Sequence, residues 1–169
     1  KIQPILKKLP IDPIPEHIIY LADWIINYYQ ASASSVWQLM LPKNPQTKPR
    51  KEFTKAKVKI QDLNKLSQPQ LRALKEIETS QKPVLLEGAM GSGKTEIYFH
   101  LIEKGLKENK SSILLMPEIF LTKQMIERAQ KHFGDKLIIT HSGLTPAQRR
   151  AIWTECNTRS KSEGLVTVS

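Results

Sequence analysis

From residue 66 onward, short apolar blocks alternate with longer stretches in which apolar positions recur every three or four residues. The helical period predicts helices over 68–79, 95–107, 121–132 and 146–156, the last capped by Thr145. The blocks at 83–87, 113–116, 137–140 and 165–168 are too short for helices and predict strands. Strands that are nearly all apolar and alternate with helices imply an α/β fold, a parallel sheet covered on both faces. Nearer the N terminus, Ile18, Ile19, Leu21, Ala22, Ile25, Ile26 and Tyr29 recur at helical spacing behind Pro15, a residue suited to a first turn. A second short helix carries Val36, Leu39 and Met40, with Ser34 and Ser35 as candidate caps. The spaced prolines Pro4, Pro10, Pro13 and Pro15 imply an extended entry.

These patterns divide the chain into a small helical piece (1–42), a linker (43–65) and an α/β region (66–169). The linker is the most charged part. It holds Lys43, Lys48, Arg50, Lys51, Lys55, Lys57 and Lys59 against Glu52, while Pro45 and Pro49 discourage regular structure. The whole chain carries 26 Lys+Arg against 16 Asp+Glu, a formal net charge of +10. An excess of this size suits a polyanionic partner, and the linker is equally readable as a solvated spacer or as a nucleic-acid contact. Tyr28, Tyr29 and Trp37 are read as packing residues in preference to a base-stacking platform. Cys156 is the only cysteine, so a disulfide framework and a cysteine-built zinc site are excluded within this chain, and the residue is expected to be half-buried. Apolar runs are far shorter than a membrane span and no signal peptide opens the sequence, so a cytoplasmic protein with no membrane partner is expected.

The sharpest chemical signal is GAMGSGKT at 88–95, directly after the apolar run Val84-Leu85-Leu86. G-x4-G-K-[ST] between a strand and a helix is a phosphate-binding loop. Gly88, Gly91 and Gly93 allow backbone conformations closed to other residues, so that the N–H groups of Ala89, Met90 and Ser92 and their neighbours can converge on one anion. Lys94 is the candidate for the β/γ-phosphates and Thr95 the candidate Mg²⁺ ligand, both counted as catalytic, and the helix that begins here adds its positive end. A small kinase is a competing reading, but it calls for an acceptor lid and a catalytic acid that the sequence does not display. A non-catalytic DNA-binding remnant is another.

Several segments in order resemble the PriA family of replication-restart helicases. GAMGSGKTEIY at 88–98 is similar to the family's motif I, including the Thr-Glu-aliphatic-Tyr continuation at Thr95, Glu96, Ile97 and Tyr98. MPEIFLTKQM at 116–125 resembles motif Ia through Pro117, Glu118, Leu121, Thr122 and Gln124. HSGLTPAQRRAIW at 141–153 resembles motif Ib through His141, Ser142, Gly143, Leu144, Arg149 and Trp153. Leu66, Gln70 and Ala73 match the segment ahead of the ATPase core, and residues 21–42 resemble the end of the family's N-terminal DNA-binding domain, with Tyr28-Tyr29 and a closing Leu41-Pro42.

The resemblance implies a RecA-like P-loop lobe of an ATP-dependent 3′–5′ DNA helicase that acts in replication restart and primosome assembly. ATP and Mg²⁺ would be its cofactors, and Gln70 would read adenine. Single-stranded and forked DNA would be partners, along with other primosome proteins or a complementary helicase fragment. Glu118, Thr122, His141 and Ser142 would lie on the DNA side, the two hydroxyls holding phosphates. For Glu118 a plain helix N-terminal charge, and for His141 a strand-terminal structural role, remain open. The family's acidic motif has no counterpart, since no two acidic residues are adjacent in the sequence. The chain is therefore expected to be an internal fragment, or the product of a truncated or split gene, that binds phosphates without turnover.

Overall fold

A computed structural model describes residues 13–42, 60–117, 122–159 and 163–169. The expected proline-spaced entry up to residue 12, most of the basic linker, and Glu118 and Leu121 of motif Ia lie outside the described residues. By contacts the chain divides into two units, 1–53 with 144–154 and 54–143 with 155–169, one of the boundaries falling within the last helix.

The first unit holds α1 (Glu16–Tyr29) and α2 (Ala33–Met40), together with Leu144–Thr154. Pro15 is the N-cap of α1, and the chain leaves that helix through Gln30 in the left-handed region (φ 51°). Ser32 caps α2 in place of Ser34 or Ser35. Its extended backbone leaves the side chain free to accept from the Ser35 N–H at 3.2 Å, whereas Ser34 and Ser35 are already helical. Ala22 and Val36 are buried. Tyr28 and Tyr29, expected to pack, are each 66% exposed, and Trp24 stacks on Tyr28 with centroids 4.8 Å apart. With only Ala22 of α1 buried, that helix turns its aromatic residues outward.

The second unit carries the sheet. Its elements are α3 (Gln68–Thr79), α4 (Lys94–Lys107), β1 (Ser112–Leu114), α5 (Lys123–Phe133), a 3₁₀ turn (Gly134–Lys136), β2 (Leu137–Ile139) and β3 (Val166–Val168). α6 (Pro146–Arg159) joins β2 to β3 along the chain. All three strands are parallel in the order β1-β3-β2, with Ile113 and Ile138 both level with Thr167. The ladder continues past the strands through Met116 N to Ser169 O at 2.7 Å and Thr140 N to Val168 O at 2.8 Å. Phe99, Ile102 and Leu106 of α4 and Ala129 and Phe133 of α5 pack with Val166 and Val168 into one core, extended by Leu63, Leu114, Met125 and Leu137. Phe99 meets Phe133 edge-on at 5.1 Å. At the β1 edge the opposite face is open, with Ile113 73% exposed.

One predicted strand does not form. Residues 83–87 belong to no strand, with Leu85 82% exposed. The sheet ends at β1 and β2 and the segment adds to neither edge, and without a ladder an apolar run has nothing to hold it as a strand. Among the described residues no helix is long and apolar enough to cross a membrane.

Candidate nucleotide-binding site

Four residues separate the end of α4 from β1, so α4 runs back across the sheet antiparallel to its strands. Its N terminus therefore faces the carboxyl edge, where an open α/β sheet places its ligands. The strands are parallel, so the segments leaving β1 and β2 reach the same edge. The phosphate loop, Thr122, His141 and Ser142 thus belong to one side of the sheet.

Within the loop Ser92 N donates to Ala89 O at 3.2 Å, closing a turn. Gly91 (φ 76°) and Gly93 (φ 85°) take the left-handed conformation, and Gly93 is the N-cap of α4. A Cβ on Gly93 would be strained by the positive φ and would lie 2.1 Å from the Gln70 Nε2, so a side chain here pushes the Gln70 amide aside. Lys94 and Thr95 open the helix, half-buried, while Gly88, Ala89 and Met90 are exposed. The Lys94 ammonium folds over the loop and donates to Gly88 O at 2.5 Å and Ala89 O at 3.0 Å. A glycine-built turn, a helix N terminus and a lysine at its mouth fit a nucleotide triphosphate with its Mg²⁺.

Gln70 comes to this loop from α3. Its carbonyl accepts from the Ser67 N–H at 2.8 Å, capping α3, and its amide lies 3.3 Å from Ser92 O and 3.4 Å from Gly93 O. Both ends of the side chain are thus engaged with backbone. Thr122 caps α5, its hydroxyl oxygen accepting from Met125 N at 3.2 Å, which leaves the O–H proton to donate outward. His141 and Ser142 are exposed just beyond β2. Cys156 is half-buried, and burial followed by the nearby Glu155 charge raises its thiol pKa.

A set of contacts behind the loop has no counterpart in the sequence reading. Glu96, only 9% exposed, accepts from Asn64 Nδ2 at 3.0 Å and pairs with Arg128 of α5. The Arg128 guanidinium lies over the Phe99 ring, 5.4 Å from its centroid. Asn64 O contacts His100 Nε2 at 2.9 Å. The three residues of this network stand 32 positions apart in turn, and no local pattern ties them together. The only hint was Glu96, noted for its place after the loop.

Residues 62–167 match the family described as type III restriction enzyme, res subunit. Over 159 residues the chain is 37% identical to the replication restart protein PriA of Rickettsia felis, an alignment covering 90% of this chain and 24% of that protein. To the replication restart protein PriA of Helicobacter pylori strain J99 it is 43% identical over 147 residues, 86% of this chain and 22% of the relative. To that of Bacillus subtilis it is 47% identical over 72 residues, 43% of this chain and 9% of the relative. The chain spans about a quarter of the length of the first two relatives. The small parallel sheet with its phosphate loop is the fold expected of a RecA-like helicase lobe, and the chain belongs to the type III restriction enzyme res-subunit family, with replication restart proteins among its relatives.

Proposed function

We propose that these 169 residues are the ATP-binding part of a PriA-like, ATP-dependent 3′–5′ DNA helicase of replication restart. The loop geometry carries this reading: two left-handed glycines, a helix N terminus and Lys94 at the mouth. The identity to replication restart proteins, over 90% and 86% of the chain, supports the helicase assignment. Residues 1–42 would be part of a DNA-binding domain, 43–65 a basic linker and 66–169 the first ATPase lobe, in a cytoplasmic protein.

In this reading the N–H groups of residues 88–93 and the α4 N terminus would hold the phosphates, Lys94 would exchange its two carbonyl partners for them, and Thr95 would ligate Mg²⁺. When bound, Mg-ATP supplies the phosphoryl group whose transfer would drive movement along DNA. The Gln70 amide, which already fixes the loop carbonyls, would lie beside the base. On the DNA side, the Thr122 and Ser142 hydroxyls would contact backbone phosphates, with Glu118 and His141 beside them, giving affinity without sequence preference. Single-stranded and forked DNA are the expected partners, with other primosome proteins or a complementary helicase fragment alongside.

Phosphoryl transfer is catalysed mainly by positioning and charge stabilisation, and an acidic partner for Mg²⁺ and water is part of that arrangement. No adjacent pair of acidic residues occurs in the sequence. The chain is therefore expected to bind Mg-ATP and release no phosphate above a Lys94→Ala background, measured by malachite green with single-stranded DNA present. Turnover that disappears in Lys94→Ala would show that these residues suffice for catalysis.

A further inference from the structure

Glu96 sits where a negative charge is least welcome to a phosphate site. It is the third residue of α4, and its N–H donates to Gly93 O at 3.0 Å. A carboxylate in the first turn draws on the same positive helix end that would hold a phosphate. At 1.5 Å of rise per residue it lies about 5 Å along the axis from the loop, well inside the range of charge interaction in a half-buried setting. The carboxylate is nevertheless built in. Oε1 takes Asn64 and Arg128, while Oε2 is buried with no hydrogen-bond partner among the described residues.

Its structural value is clear from those contacts. Through Asn64 it holds the segment entering α3, whose Gln70 amide reaches the loop carbonyls. Asn64 is fixed in turn by His100. Arg128 is held from two sides, by its place on α5 and by the Phe99 ring.

We propose that Arg128 is the counter-ion that cancels the Glu96 charge, so that the carboxylate can brace the loop without opposing the nucleotide phosphates. Arg128 is thus a positioning residue that touches no ligand and sets phosphate affinity through Glu96. The inference rests on the reading of residues 88–95 as a nucleotide site.

The test is equilibrium binding of a fluorescent Mg-ATP analogue to the full 169-residue chain and four variants, each checked for folding by circular dichroism. Arg128→Met leaves the carboxylate uncompensated and should weaken binding about tenfold. Glu96→Gln keeps an acceptor for Asn64 and removes the charge, so binding should tighten by about threefold. The double variant should return to within about threefold of the unaltered chain. Arg128→Lys, which keeps the charge, should remain within about twofold, and if Arg128→Met does not fold, the tightening in Glu96→Gln and its loss in the double variant carry the test. A purely structural network would show the opposite sign at Glu96→Gln, with weaker binding there and no recovery in the double variant, and that outcome overturns the proposal. Equal affinity in all variants overturns it as well. Failure of the unaltered chain to bind would instead strike the nucleotide-site reading and this inference together.

Discussion

Gly93 shows how much of the site depends on one missing side chain. Its φ of 85° suits glycine, and a Cβ there would collide with the Gln70 amide that bonds the loop carbonyls. Gly93→Ala should therefore cost about 1–2 kcal/mol of stability from the left-handed conformation. The same change should displace Gln70 and weaken nucleotide binding, read by urea denaturation and by titration. Cys156 makes a prediction of another kind. Burial, then Glu155, raises its pKa, so at neutral pH the nucleophilic thiolate is scarcer than in a free cysteine. Iodoacetamide should label it more slowly in the folded chain than in urea at the same pH, and equal rates would contradict the burial. The sign for stability follows. The unfolded thiol ionises first as pH rises, so any contribution from Cys156 is complete below the ordinary thiol pKa and is lost as pH climbs through the raised one.

Among the elements, α5 shows why some of the site was legible and some was not. The helix pattern around residues 121–132 was visible in the periodicity, and α5 occupies Lys123–Phe133. Thr122 was singled out for a DNA phosphate, and the structure adds a local duty: its oxygen caps the helix. Thr122→Ala should cost about 1 kcal/mol through the lost cap, measured as a shift in the denaturation midpoint. Arg128, in the same helix, carries no local signal because its partner lies on another element. Arg159 at the end of α6 is the opposite case, since its carboxylate partners Glu155 and Glu163 stand four residues away on either side and only Asp135 is remote. It is held by Glu163 at 2.5 Å and Glu155 at 3.0 Å, with Asp135 O at 2.8 Å, and these partners raise its pKa. Arg159→Ala should destabilise the chain by about 2 kcal/mol, since it frees carboxylates from charge-assisted hydrogen bonds. Strand prediction failed at 83–87 for a related reason. Apolar content announces a buried strand, but a strand exists only where a neighbour completes its ladder, and 83–87 joins neither edge of the β1-β3-β2 sheet.

At the scale of the whole molecule, the sequence disclosed what is local or periodic: the loop, α3, α4 and α5 to within two residues at either end, α6 but for its last three residues, and the alternation that implies a parallel sheet. It did not disclose which strands pair, nor the network joining the start of α4 to α5. Of the aromatic residues expected to pack near the N terminus, Tyr28 and Tyr29 are exposed while Trp37 is half-buried. The net charge of +10 and the proposed phosphate contacts of Thr122 and Ser142 together predict binding to single-stranded DNA that weakens steeply with salt. Affinity should fall linearly on a log–log plot of binding against salt, and insensitivity to salt would remove the polyanion from the account. The central claim, however, concerns the loop. Thermal and chemical denaturation with Mg-ATP at a hundredfold excess over its dissociation constant should show about 2.7 kcal/mol of added stability, and Lys94→Ala should show none. Absence of any shift at millimolar nucleotide, or an equal shift in Lys94→Ala, would contradict a nucleotide site at Gly88, Lys94 and Thr95.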